Sequence, residues 1–320
     1  MKSISYWKVL LFAFVLFGIS GVSVSAAFWD MNEHPMIHDP SIIKEGDTWW
    51  VFGTGEEDRN GIRVLYSQDG RNWNEAPVIF PEPLGWWKNY VPNHTTAQWA
   101  PDIHYFNGRY WLYYSVSSFG SNQSLIGLLS TDSIASGNWR DDGLVLHTTT
   151  SDNYNAIDGD LVIDEYGNPW LAFGSYWSGI KLTRIDANTM KPTGPIHSIA
   201  ARPNHPEGSI EAANITYRDG YYYMFVSFDK CCSGLDSNYK VMVGRSTNIT
   251  GPYVDKLGQP MMNGGGTLLD SGNDKWIGPG HSDIYNNNIF VRHAYDADSN
   301  GLPRLLINDL YWDSQGWPTY

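Results

Sequence analysis

Three carboxylates in this chain sit where carboxylates are not expected. Asp39, Asp158 and Glu211 stand in the short apolar stretches "IHDPSII", "YNAIDGDLVIDE" and "SIEAANIT". Asp158 has Ala156, Ile157, Leu161, Val162 and Ile163 around it and no basic residue nearby in sequence. An unpaired carboxylate is costly to bury, so such residues are either paired or used. Brought together, three carboxyls can do acid–base work. An ionised one activates water, a protonated one gives its proton to a leaving oxygen, and a third raises the acid's pKa by repulsion. Two carboxyls flanking a glycosidic bond are the apparatus of sugar hydrolysis. Asp102 in "WAPDI" and Asp283 in "GHSDI" have the same surroundings. For these two, backbone hydrogen bonding at a strand start is the stronger expectation.

These residues belong to a repeating grammar. An apolar stretch with an acidic residue comes first, then a turn ("KEGD", "FNGR", "DEYGN", "YRDG", "NNN"), then an aromatic strand ("TWWVFG", "YWLYYS", "PWLAFGS", "YYYMFVS", "IFVRHAY"). A fourth, outer strand follows in the clearest units. The grammar returns five times, with Asp39, Asp102, Asp158, Glu211 and Asp283 marking units roughly 50–70 residues apart. Strand signals dominate and no long helical period is found beyond the N-terminus. An all-β, five-bladed β-propeller is expected, since a sandwich does not explain five returns of one pattern. The first strand of each blade then lines the central channel and draws the three distant carboxylates together.

Residues 1–26 read as a signal peptide. Lys2 and Lys8 precede an apolar run from Val9 to Ile19, and Val24 and Ala26 suit a cut before Ala27. The run is well short of the roughly 20 residues that span a bilayer. Residues 27–320 form the single expected catalytic domain, in an exported, soluble protein. A net charge of −13 argues against nucleic acid and anionic membranes as partners, and mildly against a polyanionic substrate. Aromatic residues make up 15% of the chain, which suits surfaces that stack on sugar rings. The two cysteines, Cys231 and Cys232, are adjacent and cannot staple distant strands. A vicinal disulfide and two free thiols are both open readings. Asn93, Asn122, Asn214 and Asn248 each begin an N-x-[ST] triplet.

The motifs "HDPSI", "WAPDI", "YNAIDGDLV", "GSYWSGI", "IEAANI", "SFDKCCSG", "VGRS" and "GPGHSDI" form an ordered set running from about Met36 to Trp317. In this the chain resembles the arabinan endo-1,5-α-L-arabinosidases of glycoside hydrolase family 43. The resemblance implies a five-bladed propeller and an inverting single displacement. It implies that Asp39 is the general base and Glu211 the general acid, rather than nearby Glu207, because Glu211 keeps the family spacing before "YYYMF". Asp158 would raise the acid's pKa and orient the sugar. Asp39 and Glu211 are then expected about 6.5–9.5 Å apart, leaving room for water. The chain departs from the family's pattern at Gly159, often proline, and in "EAAN", where many relatives place an aromatic after "EA".

Substrate contacts are expected from Asp39, Trp99, Phe119, Gly120, Asn155, Asp158, Ser175, Tyr176 and Trp177. The aromatics would form a stacking platform, and Asn155 and Ser175 would bond sugar hydroxyls. The resemblance also implies a metal ion, usually calcium, held in the channel by His281 and waters. His281 is an odd sole protein ligand for a cation that prefers oxygen. The expected partner is plant cell-wall arabinan or arabino-oligosaccharide, bound by a monomer. The competing readings are an exo-acting α-L-arabinofuranosidase or β-xylosidase on the same scaffold, and a non-catalytic sugar-binding propeller. A lectin would repeat its binding residues in every blade, whereas these acidic positions differ from blade to blade.

Overall fold

Every run expected to be a strand is one. The computed structural model describes residues 29–55, 60–94 and 97–320, so the signal-peptide reading of residues 1–26 lies outside it. The first blade is β1 (Ser41–Glu45), β2 (Thr48–Gly53), β3 (Arg63–Ser67) and β4 (Asn74–Glu75). The second holds β5 (Trp99–Phe106), β6 (Arg109–Val116), β7 (Ser124–Thr131) and β8 (Arg140–Thr148). In the third are β9 (Asp160–Ile163), β10 (Pro169–Phe173), β11 (Ile180–Ile185) and β12 (Pro192–Ala200). The fourth contains β13 (Ile210–Arg218), β14 (Tyr221–Phe228), β15 (Lys240–Ser246) and β16 (Thr267–Asp270). The fifth has β17 (Trp276–Tyr285), β18 (Ile289–Asp296) and β19 (Leu302–Asp309), and a small ribbon, β20 (Tyr311–Trp312) with β21 (Pro318–Thr319), follows. Neighbours in each blade pair antiparallel in chain order, which makes a five-bladed propeller.

The fifth sheet is completed from the other end of the chain. Met36 bridges Arg304 of β19, Ile37 N–H donates to Pro303 O (3.2 Å), and Leu305 N–H donates to Pro35 O (2.9 Å). The circle is thereby closed by backbone hydrogen bonds.

The aromatic second strands have no polar face because both faces are buried. Along β6, Leu112 and Tyr114 pack with Ile43 and Phe52 of the first blade. The alternate residues Trp111 and Tyr113 pack with Leu161 and Phe173 of the third. One apolar cluster fills each gap between blades in this way, so a period-2 strand reads as continuously apolar.

Around the channel runs a second closed circle, made by side chains. Ser41 Oγ accepts the Ile103 N–H (3.1 Å), Asp102 Oδ2 that of Leu161 (2.9 Å) and Asp160 Oδ2 that of Ile215 (2.9 Å). Asn214 Oδ1 accepts the Ile284 N–H (3.2 Å), and Asp283 Oδ2 accepts that of Ile42 (2.7 Å). Each blade thus caps the next blade's innermost strand. Asp102 and Asp283 are structural, as favoured from sequence, and Asn214, the head of a sequon, is buried in this ring. Replacing Asp102 with Ala leaves the buried Leu161 N–H without its acceptor, which costs about 1–3 kcal/mol. The urea midpoint of Asp102→Ala should fall, with a smaller fall for Asp102→Asn, which keeps an acceptor. An unmoved midpoint in the Ala variant would mean that the ring adds nothing.

The structure also corrects the alignment of the repeat. Asp39, Asp102, Asp158, Glu211 and Asp283 are not one position. The equivalent residues are Asp39 (φ 51°), Ala100 (46°), Asp158 (57°), Ala212 (53°) and His281 (49°), all in the left-handed region. Glu211 lies one residue earlier, and the ring residues lie two residues later. Where the inner strand pairs across this point, in β5, β13 and β17, the register shifts as at a bulge. The departure at Gly159 is harmless. Asp158 takes the same conformation before glycine as Asp39 does before proline.

Candidate active site

The left-handed residues mark one mouth of the channel. Asp39, Asp158 and His281 from three blades line a cleft of about 420 Å³, and Glu211 joins them from a fourth. The sequence-derived site residues Trp99, Phe119, Gly120, Asn155, Ser175, Tyr176 and Trp177 all line this cleft too. Glu207 does not, and it is exposed.

Asp39 is surrounded by imidazoles. Its Oδ2 lies 2.9 Å from His38 Nδ1 and accepts the Thr54 hydroxyl (2.5 Å), while Oδ1 lies 3.1 Å from His281 Nδ1. The Asp39 N–H donates to His293 Nδ1 (3.1 Å). Burial pushes the Asp39 carboxyl up, but His38 and His281 outweigh it and hold it well below the usual range. The converse holds for His281. Burial pushes it down, but Asp39, with help from Asp158 and Glu211, carries it up to about 9. His293, fully enclosed beside His38, is pushed well below its ordinary value, first by burial. The result is an ionised carboxylate at neutral pH.

Glu211 is held differently. Its Oε2 accepts the Ser175 hydroxyl (2.6 Å) and its Oε1 the Tyr239 hydroxyl (2.8 Å). Burial is the largest cause of its raised pKa, against the pull of those two hydroxyls, and the Asp39 charge adds to the rise. Hydroxyls both donate and accept, so these contacts survive when Glu211 carries a proton. Asp158 donates its N–H to Ser115 Oγ (2.9 Å) and accepts the Ala212 N–H (3.3 Å). Its carboxyl is pushed up to about 8, first by burial and then, against His281, by Glu211 and Asp39. The expectation that Asp158's charge is what lifts Glu211 therefore needs restating. Burial lifts both, and the two carboxyls titrate as a coupled pair.

The residues expected to meet the sugar divide into two groups. Phe119 and Trp177 are 77% and 43% exposed, and Phe119 packs on Trp99 at 5.0 Å between ring centroids. Bare aromatic faces in a cleft suit stacking on sugar rings. Asn155 Oδ1 is buried without a hydrogen-bond partner among the described residues, as suits a group that awaits a ligand hydroxyl. The Ser175 hydroxyl, expected to bond sugar, donates to Glu211 and keeps its lone pairs toward the cleft. His38, Thr54, Tyr239, His293 and the Cys231–Cys232 wall went unrecognised in the sequence. His38, adjacent to Asp39, and the paired cysteines of "SFDKCCSG" carried a signal there, though not one that placed them in the cleft.

The channel beneath His281 bears on the expected metal. A cavity of about 20 Å³ is lined by Asp102, Asp158, Asp160, His281, Ser282 and Asp283, and the buried Ser282 Oγ has no partner among the described residues. That is room for one water-sized occupant with oxygens around it, so the residues fit a single hard cation. His281 offers it only Nε2, because Nδ1 is engaged by Asp39, and only once Nε2 has given up the proton that the raised pKa holds there. The two triads of closely spaced ligand atoms among the described residues are His38–Asp39–His293 and Asp102–His104–Asp160, and neither includes His281.

An ionised carboxylate and a raised carboxyl facing one cleft, with bare aromatics beside them, define a glycoside hydrolase on a propeller. The chain belongs to the glycosyl hydrolases family 43, whose family model matches residues 35–318. It is 59% identical to the extracellular endo-α-(1→5)-L-arabinanase 1 of Bacillus subtilis (strain 168), over 100% of both chains. It is 40% identical to an extracellular exo-α-(1→5)-L-arabinofuranosidase of Cellvibrio japonicus (strain Ueda107), over 88% of this chain and 85% of that one. The solved structure of a family 43 endo-arabinanase from Bacillus licheniformis superposes with a TM-score of 0.89 at 71% identity. That match covers 92% of this chain and 100% of that chain.

Proposed function

We propose that the protein is an extracellular endo-acting hydrolase of α-1,5-arabinan that works by inverting single displacement. The observation carrying this reading is the opposite tuning of Asp39 and Glu211 at one cleft. Asp39, kept ionised by His38 and His281, takes a proton from water as that water attacks the anomeric carbon of an arabinofuranosyl unit. Glu211, whose pKa burial raises, gives its proton to the departing oxygen. Asp158 shares the proton economy of Glu211 and orients the sugar, while Asn155 bonds a hydroxyl and Phe119 and Trp177 stack. The neutral substrate agrees with the chain's acidity, which would repel a polyanion. Incubation with linear arabinan tests the reading, with viscosity followed against reducing ends. Rapid loss of viscosity at few cuts is expected. Release of monosaccharide alone would replace it with the exo reading.

A calcium ion in the channel belongs to the same reading. His281 Nε2, deprotonated on binding, Ser282 and the channel carboxyls would hold it with waters, and it would supply positive charge beside Asp158. Chelation should then lower the melting temperature by about 5 °C, the scale of a ligand bound well above its Kd, with calcium restoring it. An unchanged melting curve would remove the metal from the account.

A further inference from the structure

Cys231 and Cys232 form a disulfide with each other. They sit on the cleft wall with Lys230 and Ser233, facing the same space as Asp39 and Glu211. A bond between adjacent residues closes a minimal loop, so it restrains the unfolded chain very little. Its effect is local, on the backbone of residues 231 and 232.

That backbone has an unusual shape and a specific contact. Cys232 has φ 62°, in the left-handed region that residues other than glycine avoid. In this conformation its N–H donates to Tyr295 Oη (2.7 Å). Tyr295 Oη lies 2.8 Å from His38 Nε2, and His38 Nδ1 lies 2.9 Å from Asp39 Oδ2. The contacts order one another. The Cys232 N–H and His38 Nε2 both meet the Tyr295 hydroxyl, and that contact holds the imidazole with Nδ1 toward Asp39.

We infer that the Cys231–Cys232 disulfide is a positioning element of the active site, which acts through Tyr295 and His38 on Asp39 and makes turnover sensitive to reduction. The inference rests on the reading of Asp39 as the base. The bond holds Cys232 in a conformation that it would otherwise leave, and that conformation aims its N–H at Tyr295. An external dithiol can reach it, since Cys232 is exposed and Cys231 half-buried. One reagent thiolate attacks a half-cystine sulfur, forms a mixed disulfide and expels the other sulfur as a thiolate. The reagent's second thiol then closes its own disulfide and releases the first cysteine. Two electrons and two protons pass to the protein, and the dithiol is oxidised. In the oxidising extracellular setting the bond persists. The chain has no other cysteine, so the reduction touches nothing else.

The experiment measures kcat and KM on linear arabinan for the oxidised protein and for the same protein held in dithiothreitol, with melting curves for both. Reduction should lower kcat about tenfold, the scale of a modest misplacement of a reacting group, with a smaller change in KM. The melting temperature should hardly move, and reoxidation should restore kcat. Tyr295→Phe should lose a similar factor when oxidised and lose nothing further on reduction, because both changes break one chain of contacts. Cys231→Ser/Cys232→Gly should keep more kcat than Cys231→Ser/Cys232→Ser, since glycine adopts φ 62° without the bond. A kcat indifferent to reduction would overturn the inference, as would an equal loss on reduction in Tyr295→Phe and its parent. An oxidised protein inactive on arabinan is a separate result, and it would sink the reading of the base itself.

Discussion

Asp39→Ala and Glu211→Ala are each expected to lower kcat on arabinan by about 10²–10⁴-fold, the contribution of a positioned acid or base. The two losses should differ in kind. Without Asp39 no group takes the proton of the attacking water, so every substrate should suffer alike. Without Glu211 the departing sugar oxygen leaves unprotonated, so the loss should shrink on an arabinofuranoside whose leaving group needs no proton. The fold should tolerate both changes, because neither residue belongs to the side-chain ring that ties the blades together. Their partners are His38, His281 and Thr54 for Asp39, and Ser175 and the buried Tyr239 for Glu211, and all but Tyr239 line the cleft. The exposed Glu207 is the control, and Glu207→Ala should turn over like the parent. Near-normal kcat in either active-site variant would remove that residue from its role.

The second large effect is expected at Asp158. Replacement by Asn keeps the shape and a hydroxyl-binding oxygen but removes a titrating carboxyl coupled to Glu211. In the parent, the pair holds its last proton to high pH because the second ionisation must place two negative charges side by side. In Asp158→Asn that penalty is gone, so Glu211 loses its proton at lower pH. The basic limb of the pH–rate profile should therefore move toward lower pH. The acidic limb, set by the depressed Asp39, should stay in place. kcat at its optimum should also fall, by about 10²-fold, as expected for a group that orients the reacting sugar. The Asp158 side chain accepts the Ala212 N–H at 3.3 Å, a contact that the Asn oxygen can keep, so little stability should be lost. An unmoved basic limb together with a lower melting temperature would make Asp158 a structural residue.

Much of this was legible before any coordinates. The strand–turn–strand grammar returned five times, and buried aromatic strands announced themselves because both of their faces meet apolar neighbours. The cleft residues were legible because they cluster at corresponding points of successive units. The register within the unit was not. Acidic residues fall at three different depths along the inner strand, and the shared feature is a backbone conformation that Ala100 and Ala212 adopt without any side-chain signal. The ring of Ser41, Asp102, Asp160, Asn214 and Asp283 was hidden for a similar reason. Its members differ in type, and each acts on the backbone of the next blade. Tyr239 and Tyr295 looked like ordinary packing aromatics, and only the folded chain brings their hydroxyls to Glu211 and His38. The fate of the two cysteines was open because adjacency allows either state. The structure closes the bond.

The central claim is a single displacement with Asp39 as base and Glu211 as acid, and its most direct test is the stereochemistry of the first product. Proton NMR of a short α-1,5-linked arabino-oligosaccharide, recorded within the first turnovers and before mutarotation, reads the anomer released. The account predicts the β-anomer first, with the α-anomer growing in later. An α-anomer appearing first would mean retention through a covalent intermediate, and would contradict it.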